Sequence, residues 1–339
     1  MGIKRALFLR GKIQGSSRYF QLKEGQSDPS FFEDMWCEFF HTFLMKMGWK
    51  GETLCHLDDE SSLSWIVDDS YTEHWVNIEG TTSFQIEEPN LTFVRGERPY
   101  YHPFLFKFPR AKRVYYGAGR RCDPDMIGNF YDVGFVDSPL QLADLALKVP
   151  FPVRLFMKPC ATLFKKIPSR KVYDVLFVAA NPEAKRKRIR LFLESMQGSG
   201  LKILYVGSPS PKIRNLSKKF GLDVTFAGFH RTPRIPELAK TCRACVNTSD
   251  GDDSAPQSVI EAIAMGLPVI VTKSLNIWTD RYINSRTGIV VPDDQVLSGT
   301  KYVLTRLGSF SPGEYYDENL SMDACVDRFI KLLDELEFL

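Results

Sequence analysis

The sequence lacks any apolar run long enough to cross a bilayer. A membrane-spanning helix needs about 20 consecutive apolar residues, and no stretch of the 339 residues comes near that length. The first nine residues carry charge and lack the apolar core of a secretory signal peptide. We therefore expect a cytoplasmic protein without a membrane-spanning segment.

The chain also has almost no net charge. Its 44 Lys and Arg residues oppose 41 Asp and Glu residues, which leaves a formal charge of +3 at pH 7. A protein that holds a polyanion such as DNA over a broad surface needs a strongly basic field. Binding of nucleic acid by the whole surface is therefore excluded, and any basic function must be local.

Cysteine and histidine are sparse and do not form metal or disulfide patterns. The seven scattered cysteines do not resemble a disulfide framework, and the five histidines show no metal-ligand spacing. Cys242 and Cys245 form one C-x-x-C pair where a helical stretch runs into a strand, whereas redox pairs open a helix. Asp123 and Asp125 form a D-x-D with proline at its centre, which favours a turn. The sequence predicts a reducing compartment and no metal site.

The second half of the chain predicts a doubly wound α/β domain. Short β-branched runs alternate there with helical stretches, which is typical of a parallel sheet with crossover helices. The predicted strands are 173–179, 201–206, 222–226, 244–247, 268–272 and 288–291, and the predicted helices are 185–196, 212–220, 235–241, 256–265 and 275–284. A length near twice the usual ~150 residues per domain predicts a second domain.

The first half is aromatic-rich and less regular. Strands are predicted at 5–9, 114–116 and 133–136, and an amphipathic helix at 31–47. Residues 158–171 hold two prolines and five bases with little apolar periodicity, which favours a domain boundary. We expect a first α/β domain at 1–168, a second at 172–320, and an amphipathic helix over 322–336 within the last segment, 321–339.

The segment 247–272, NTSDGDDSAPQSVIEAIAMGLPVIVT, holds the densest information in the chain. Ser254 and Gln257 have the spacing of a capping box, and Pro256 suits a first helical turn. Gly266 follows the last periodic residue and is typical of a helix end. These residues predict a helix of about three turns that starts near residue 255.

This helix is expected to begin at the carboxyl edge of the sheet, where open α/β folds bind ligands and the helix dipole favours an anion. Glu261 is an isolated carboxylate in an otherwise apolar helix. A buried carboxylate is costly without a hydrogen-bonding partner. That partner is either a bound ligand or a salt bridge or cap within the core.

One pattern in this segment resembles the E-x7-E signature of retaining GT-B glycosyltransferases, notably family four, also called group 1. The pattern is an acid, seven further residues, and then Glu-Ala-x-Ala-x-Gly-x-Pro-Val-Ile. Asp253 and Glu261 have this spacing, and residues 287–292 are similar to the T-G-x-L-V-P that closes the donor domain. The resemblance covers residues 173–293. It implies two Rossmann-like doubly wound domains facing a cleft, acceptor-side over 1–168 and donor-side over 172–320, with the helix in 321–339 crossing back to the first domain.

The resemblance also implies roles for individual residues. Glu261 corresponds to the carboxylate that binds the ribose hydroxyls of the donor, and Asp253 to the acid that contacts the hydroxyls of the sugar. Asp252 is an equally good candidate for this first acid. The backbone that would cradle the sugar and the distal phosphate comprises Ser254, Ala255, Pro256 and Gln257.

The run 185–190 carries five bases in six positions. By itself it is typical of a nucleic-acid patch or a solvated helix face. The family keeps a lysine near the start of this helix to neutralise the donor diphosphate, and alignment of 191–196 with that helix places Lys187 there. Arg186 and Arg188 are the neighbours that can substitute for it. Ala179, Ala180 and Asn181 stand where the family has an arginine.

The sequence thus predicts a glycosyltransferase that moves a sugar from a nucleoside-diphosphate sugar to a glycan, a lipid-linked acceptor or another hydroxyl. The resemblance implies retention, with Lys187 stabilising the leaving group and Asp253 orienting the sugar. No metal or other cofactor is expected, since basic side chains and a helix N-terminus can stabilise the leaving charge. Expected partners exclude nucleic acid and include peripheral membrane contact. Two alternatives are a weak or inactive nucleotide-sugar binding protein, and a nucleic-acid module that uses 185–190.

Overall fold

The computed structural model describes residues 3–11, 17–25, 32–57, 62–79, 85–96, 98–117, 123–165, 168–181, 185–251, 256–275 and 279–339. The chain divides into two compact units. The first comprises Met1–Pro159 and Met322–Leu339, and the second comprises Cys160–Ser321. Among the described residues, no helix has the length and apolarity to span a membrane.

The first unit contains an eight-stranded sheet. Its strands are β1 (Arg5–Arg10), β2 (Lys50–His56), β3 (Leu63–Ile66), β4 (Tyr71–Val76), β5 (Leu91–Arg95), β6 (Lys112–Tyr116), β7 (Val133–Val136) and β8 (Val153–Leu155). Their spatial order is β3-β4-β2-β1-β5-β6-β7-β8. All neighbours are parallel except β3 and β4. The sequence predicted β1, β6 and β7 and missed the other five.

Among the described residues before Pro159, the α-helices that accompany this sheet are α1 (Ser17–Lys23), α2 (Met35–Met47), α3 (His102–Lys107), α4 (Pro124–Ile127) and α5 (Pro139–Leu145). The predicted helix 31–47 begins later than expected because Asp34 caps it. The Asp34 carboxylate accepts hydrogen bonds from the backbone N–H groups of Trp36 and Cys37. Gly48, with φ 62°, ends the helix.

The second unit contains a six-stranded sheet in which every pair is parallel. Its strands are β9 (Tyr173–Val178), β10 (Lys202–Val206), β11 (Asp223–Gly228), β12 (Cys242–Asn247), β13 (Val269–Thr272) and β14 (Gly288–Val291). The order is β11-β10-β9-β12-β13-β14. The six predicted strands are confirmed, each within two residues of its predicted bounds.

The helices of the second unit are α6 (Ile189–Ser195), α7 (Pro211–Lys219), α8 (Arg234–Ala239), α9 (Gln257–Ala264), α10 (Thr279–Tyr282), α11 (Val296–Thr305) and α12 (Pro312–Asn319). Helix α9 is about two turns long, shorter than predicted. Pro256 precedes it with an extended ψ of 123°, so it occupies the N-cap and not the first turn. Of the predicted helix 275–284, residues 276–278 lie outside the described part of the chain, and α10 occupies its end.

The predicted helix 185–196 is wrong in its first turn. Lys185–Lys187 form a 3-10 helix, Arg188 adopts a left-handed φ of 49°, and α6 begins only at Ile189. The carbonyls of residues 186–188 accept hydrogen bonds from the loop that follows β12. These long-range bonds explain why the basic run leaves the α-helical path.

The last helix, α13 (Met322–Glu335), packs within the first unit against α2. The Phe329 ring centroid lies 5.4 Å from that of Phe39 and 5.5 Å from that of Phe43. The aromatic residues of α2, β5 and α13 form one core cluster. Burial of these rings dominates the packing on this face of the first sheet.

Gly207, which follows β10, is expected to be essential for the stability of the second unit. A Cβ atom there would lie 1.9 Å from the carbonyl oxygen of Ala179, and φ is +142°. We expect Gly207→Ala to lower the free energy of unfolding by about 3 kcal/mol, since strain and steric overlap each cost on the order of 1–3 kcal/mol. Urea unfolding measures the change.

Gly308→Ala is the matched control for this prediction. Gly308 has no atom within 4 Å of a Cβ position and no positive φ. Its replacement should change the unfolding free energy by less than about 0.5 kcal/mol. Equal losses in the two variants would contradict the steric argument.

Candidate functional site

The second sheet reverses its strand order beside β9. The chain passes from β9 to β10 and β11 on one side, and then returns to β12 on the other side. The carboxyl ends of β9 and β12 therefore border a topological switch point. Open α/β sheets bind ligands in the crevice at such a point.

The two loops at this switch point are hydrogen-bonded to each other. The Asp250 backbone N–H donates to the carbonyl of Arg186 over 3.0 Å. The Thr248 hydroxyl lies 2.9 Å from the carbonyl oxygen of Lys187 and 3.3 Å from that of Arg188. The loop after β12 thus positions the three bases predicted for the donor diphosphate.

Further polar contacts anchor the loop after β12. The Asn247 side chain donates to the Ser258 hydroxyl over 3.2 Å and accepts from the Ser249 backbone N–H over 2.9 Å. The Thr272 hydroxyl donates to the Ser249 carbonyl over 3.2 Å. Asn247, Thr248 and Ser249 are each no more than 5% exposed. These contacts therefore anchor residues 247–249 against β13 and the start of α9.

Glu261 lies on α9 and is only 9% exposed, as its apolar surroundings in the sequence predicted. The pKa of the buried Cys245 thiol depends on the charges of both Glu261 and Lys187. Burial raises the pKa of Cys245, the charge of Glu261 raises it further, and the charge of Lys187 lowers it. Lys187 lies after β9 and Glu261 lies on the helix after the neighbouring strand β12.

Arg188 is engaged with a residue that the sequence analysis missed. Its guanidinium forms an ion pair with Asp293, just beyond β14. The Ser274 hydroxyl lies 2.8 and 3.0 Å from the two carboxylate oxygens. The hydrogen bond from Arg188 is the main reason that the pKa of Asp293 is lowered. Of the three bases, Arg186 is exposed, Lys187 is half-buried and Arg188 is bound to Asp293.

The remaining predicted site residues belong to the loop before α9. Asp252, Asp253, Ser254 and Ala255 lie outside the described residues. Pro256 is buried, and Gln257 is half-buried at the first position of α9. The structure therefore places Arg186, Lys187 and Arg188 after β9, and Pro256, Gln257 and Glu261 after the neighbouring strand β12.

The motifs set aside in the sequence take structural roles. The Asp123 side chain caps α4 by accepting a hydrogen bond from the Asp125 backbone N–H over 3.0 Å. Cys242 and Cys245 are buried, and burial raises the pKa of Cys242 to about 12. Within the described ranges, no group of three or more His, Cys, Asp or Glu side chains is placed to hold a metal ion.

Comparison with known proteins bears directly on this site. Residues 173–305 match the family model of glycosyl transferases group 1. The match runs from the start of β9 to the end of α11, so it contains the switch point and every residue of the candidate site. No curated protein matches the sequence of the chain.

Solved structures of low sequence identity share the fold of the whole chain. Sucrose-phosphate synthase from Thermosynechococcus elongatus matches with a TM-score of 0.70 and 14% identity, over 98% of this chain and 99% of that one. A glycosyltransferase from Rickettsia africae matches with a TM-score of 0.67 and 12% identity, over 99% of each chain. Anabaena HepE, in complex with UDP and glucose, matches with a TM-score of 0.66 and 12% identity, over 98% of this chain and 100% of that one.

These matches confirm the predicted fold class. The chain is an α/β protein with two parallel-sheet units, and it matches the structures of GT-B glycosyltransferases. The glycosyl transferases group 1 match and the shared fold together support sugar transfer from a nucleotide sugar.

Proposed function

We propose that the protein transfers a sugar from a nucleoside-diphosphate sugar to a hydroxyl of a glycan or lipid-linked acceptor, with retention and without a metal ion. The observation that carries this proposal is that the segment with Lys187 is hydrogen-bonded to the loop after β12, which leads into the helix that carries Glu261, within a region that matches glycosyl transferases group 1. HepE, which shares the fold, holds UDP and glucose, and this supports a nucleoside diphosphate as the leaving group.

Glu261 is suited to bind the nucleoside. A carboxylate accepts hydrogen bonds only, and the 2′- and 3′-hydroxyls of a ribose offer two donors in the geometry of a bidentate contact. Because Glu261 is nearly buried, these contacts would form in a low-dielectric environment, where each is stronger than in water.

Lys187 is suited to stabilise the leaving diphosphate. In the proposed reaction the bond from the anomeric carbon to the phosphate oxygen breaks, and a bond to the acceptor oxygen forms on the same face of the sugar. The leaving phosphate takes the proton of the acceptor hydroxyl. A lysine held in place before the reaction stabilises the charge that develops on the phosphate without reorganisation. Asp253, or Asp252, would orient the sugar.

A second candidate function is nucleotide-sugar binding with weak or no turnover. It is favoured by the residues after β9, where Ala179, Ala180 and Asn181 provide no cation for the diphosphate. In this case the donor would bind as above, and transfer to acceptors would be very slow. Turnover of a bound donor with candidate acceptors separates the two functions.

A thermal-shift series with UDP, GDP, ADP and CMP, with and without Mg²⁺, tests donor binding. We expect one nucleoside diphosphate to raise the melting temperature independently of Mg²⁺, since a ligand at 100 times its Kd stabilises the folded state by about 2.7 kcal/mol. Glu261→Ala should lose this shift. Asp253→Ala should keep the shift and lose transfer.

Glu194→Ala provides the matched control for the thermal-shift series. Glu194 is a glutamate on α6 that forms a surface ion pair with Arg190, so its replacement should leave the nucleotide shift unchanged. If no nucleotide shifts the wild-type protein, or if Glu261→Ala keeps the full shift, the proposed donor site is wrong.

A further inference from the structure

The first sheet has a switch point of its own. The chain leaves the central strand β1 for β2 on one side and later forms β5 on the other side. Arg10 and Arg95, the last residues of β1 and β5, are register partners in the parallel pair. Their side chains therefore leave the same face of the sheet at its carboxyl edge.

The two terminal nitrogens of the Arg10 guanidinium are engaged within the protein, whereas its Nε is buried without a hydrogen-bond partner. It is 1% exposed, its Nη2 donates to Asp34 Oδ2 over 3.0 Å, and its Nη1 donates to the Cys37 thiol over 2.9 Å. Nη1 also lies 2.9 Å from Asp34 Oδ1. Burial by itself lowers the pKa of Arg10, but the charge of Asp34 outweighs it and the pKa is raised. The charge of Arg10 is therefore neutralised internally.

Arg95 differs from Arg10 in having no such partner. Within the part of the chain that the structure describes, its guanidinium forms no hydrogen bond or ion pair through either terminal nitrogen, and its Nε, like that of Arg10, is buried without a partner. The guanidinium lies 5.5 Å from the centroid of the Trp36 ring. Burial lowers the pKa of Arg95, and the charge of Arg10 lowers it further. The side chain is held in an environment that disfavours its charge.

The neighbouring acids are already occupied by other cations. Asp34 is paired with Arg10, and Asp137 lies 3.7 Å from the Lys158 ammonium and accepts a hydrogen bond from the Tyr116 hydroxyl over 3.5 Å. Among the described residues, Asp34 and Asp137 thus each already have a cation other than Arg95. A partly buried charge without a counter-charge is costly unless a ligand neutralises it.

The strand end is also accessible from solvent. Arg95 is partly exposed, and Arg98, three residues further along, is exposed. Gly11 directly follows Arg10, and a Cβ atom at Gly11 would lie 3.3 Å from the Tyr101 hydroxyl and 3.8 Å from Nε of Arg98. A side chain at position 11 would crowd these groups.

We propose that the carboxyl edge of the first sheet binds an anionic group of the acceptor, a phosphate or a carboxylate, through the guanidinium of Arg95. The proposal rests on the proposed glycosyltransferase function, and it defines the acceptor as an anionic molecule. A planar guanidinium binds both groups in a bidentate manner. The diphosphate of the donor has the same chemistry and is the other possible source of the anion.

The test is a thermal-shift measurement with inorganic phosphate at constant ionic strength. The parent protein carries Lys187→Met, which removes the donor-site lysine. We expect phosphate to raise the melting temperature of this protein by a few degrees. Addition of Arg95→Met should abolish the phosphate shift, and Arg95→Lys should restore part of it. Arg110→Met, at an exposed arginine of the first unit, should keep the full shift.

The stability of the unliganded protein gives an independent readout. Removal of an unpaired cation should leave the melting temperature of Arg95→Met unchanged or higher, whereas loss of a structural contact would lower it. The proposal is overturned if Arg95→Met melts several degrees below its parent. It is also overturned if phosphate shifts both proteins equally or shifts neither.

A second thermal-shift experiment distinguishes the acceptor from the donor as the source of the anion. It uses the nucleoside diphosphate that stabilises the wild-type protein. With Lys187 intact, Arg95→Met should keep the full nucleotide shift, because its partner is the acceptor. Loss of that shift would assign Arg95 to the donor and overturn the acceptor assignment. If no nucleotide stabilises the wild-type protein, the proposed function itself is wrong, and this outcome is distinct from the loss of the shift in Arg95→Met.

Discussion

Replacement of Lys187 by Met is expected to lower the kcat of sugar transfer about 100- to 1000-fold, the usual effect of removing one preorganised group that stabilises a developing negative charge. Lys187 is half-buried, and its backbone is held by Thr248. The backbone that carries its ammonium is therefore held in place before the leaving group departs. Release of nucleoside diphosphate at saturating donor measures the change.

Lys185→Met is the control for this prediction. Lys185 lies in the same 3-10 helix and is exposed, so its removal tests whether a general loss of positive charge is responsible. We expect its kcat to stay within about twofold of the wild-type value, since exposed charges are screened by solvent and salt. Equal losses in the two variants would remove Lys187 from the proposed reaction.

Asp34→Ala is expected to destabilise the protein by about 4 kcal/mol. It leaves Arg10 buried without a counter-charge, and breaking a buried pair in this way costs about 3–5 kcal/mol. It also removes the cap of α2, whose loss costs about 1 kcal/mol. Urea unfolding of the two proteins at neutral pH measures the difference.

Asp327→Ala provides the comparison for this variant. The Asp327 carboxylate lies 2.7 Å from the Lys46 ammonium, but its side chain is 65% exposed. An exposed ion pair contributes less than about 1 kcal/mol. A destabilisation by Asp34→Ala no larger than that of Asp327→Ala would show that Arg10 is not effectively buried.

The contribution of Asp34 should also depend on pH. Burial raises the pKa of Asp34, but Arg10 outweighs it, so the folded-state pKa lies below the ordinary value. A carboxyl group with a depressed pKa contributes its stability above the pKa of the unfolded chain and loses it as the pH falls through the folded pKa. The difference between wild type and Asp34→Ala should therefore shrink in acid.

The sequence alone determined the second sheet almost completely. Its strands are short β-branched runs separated by helical stretches, and this alternation is a local property of the chain. The apolar composition of α9 likewise predicted that Glu261 would be buried, as it is. The family resemblance in this segment is confirmed by the match over 173–305.

The first sheet was only partly predictable, because its hydrophobic pattern is broken by buried polar residues. Glu73 in β4 is 0% exposed, and its carboxylate accepts a hydrogen bond from the indole N–H of Trp75 over 3.3 Å. Thr53 in β2 is also 0% exposed, and its hydroxyl lies 2.7 Å from that of Tyr71. Polar side chains that are buried with partners supplied by the folded sheet look like surface positions in the sequence.

The charge pairing was decided by the tertiary structure alone. The sequence identified the basic run 185–190, but the partner of Arg188 is Asp293, 105 residues away. Arg95 has no ion pair among the described residues, whereas Arg10 beside it is paired with Asp34. This difference also depends on two strands that are distant in the chain. Local periodicity determines which segments become strands and helices, whereas the neutralisation of a particular charge depends on which strand ends the fold brings together.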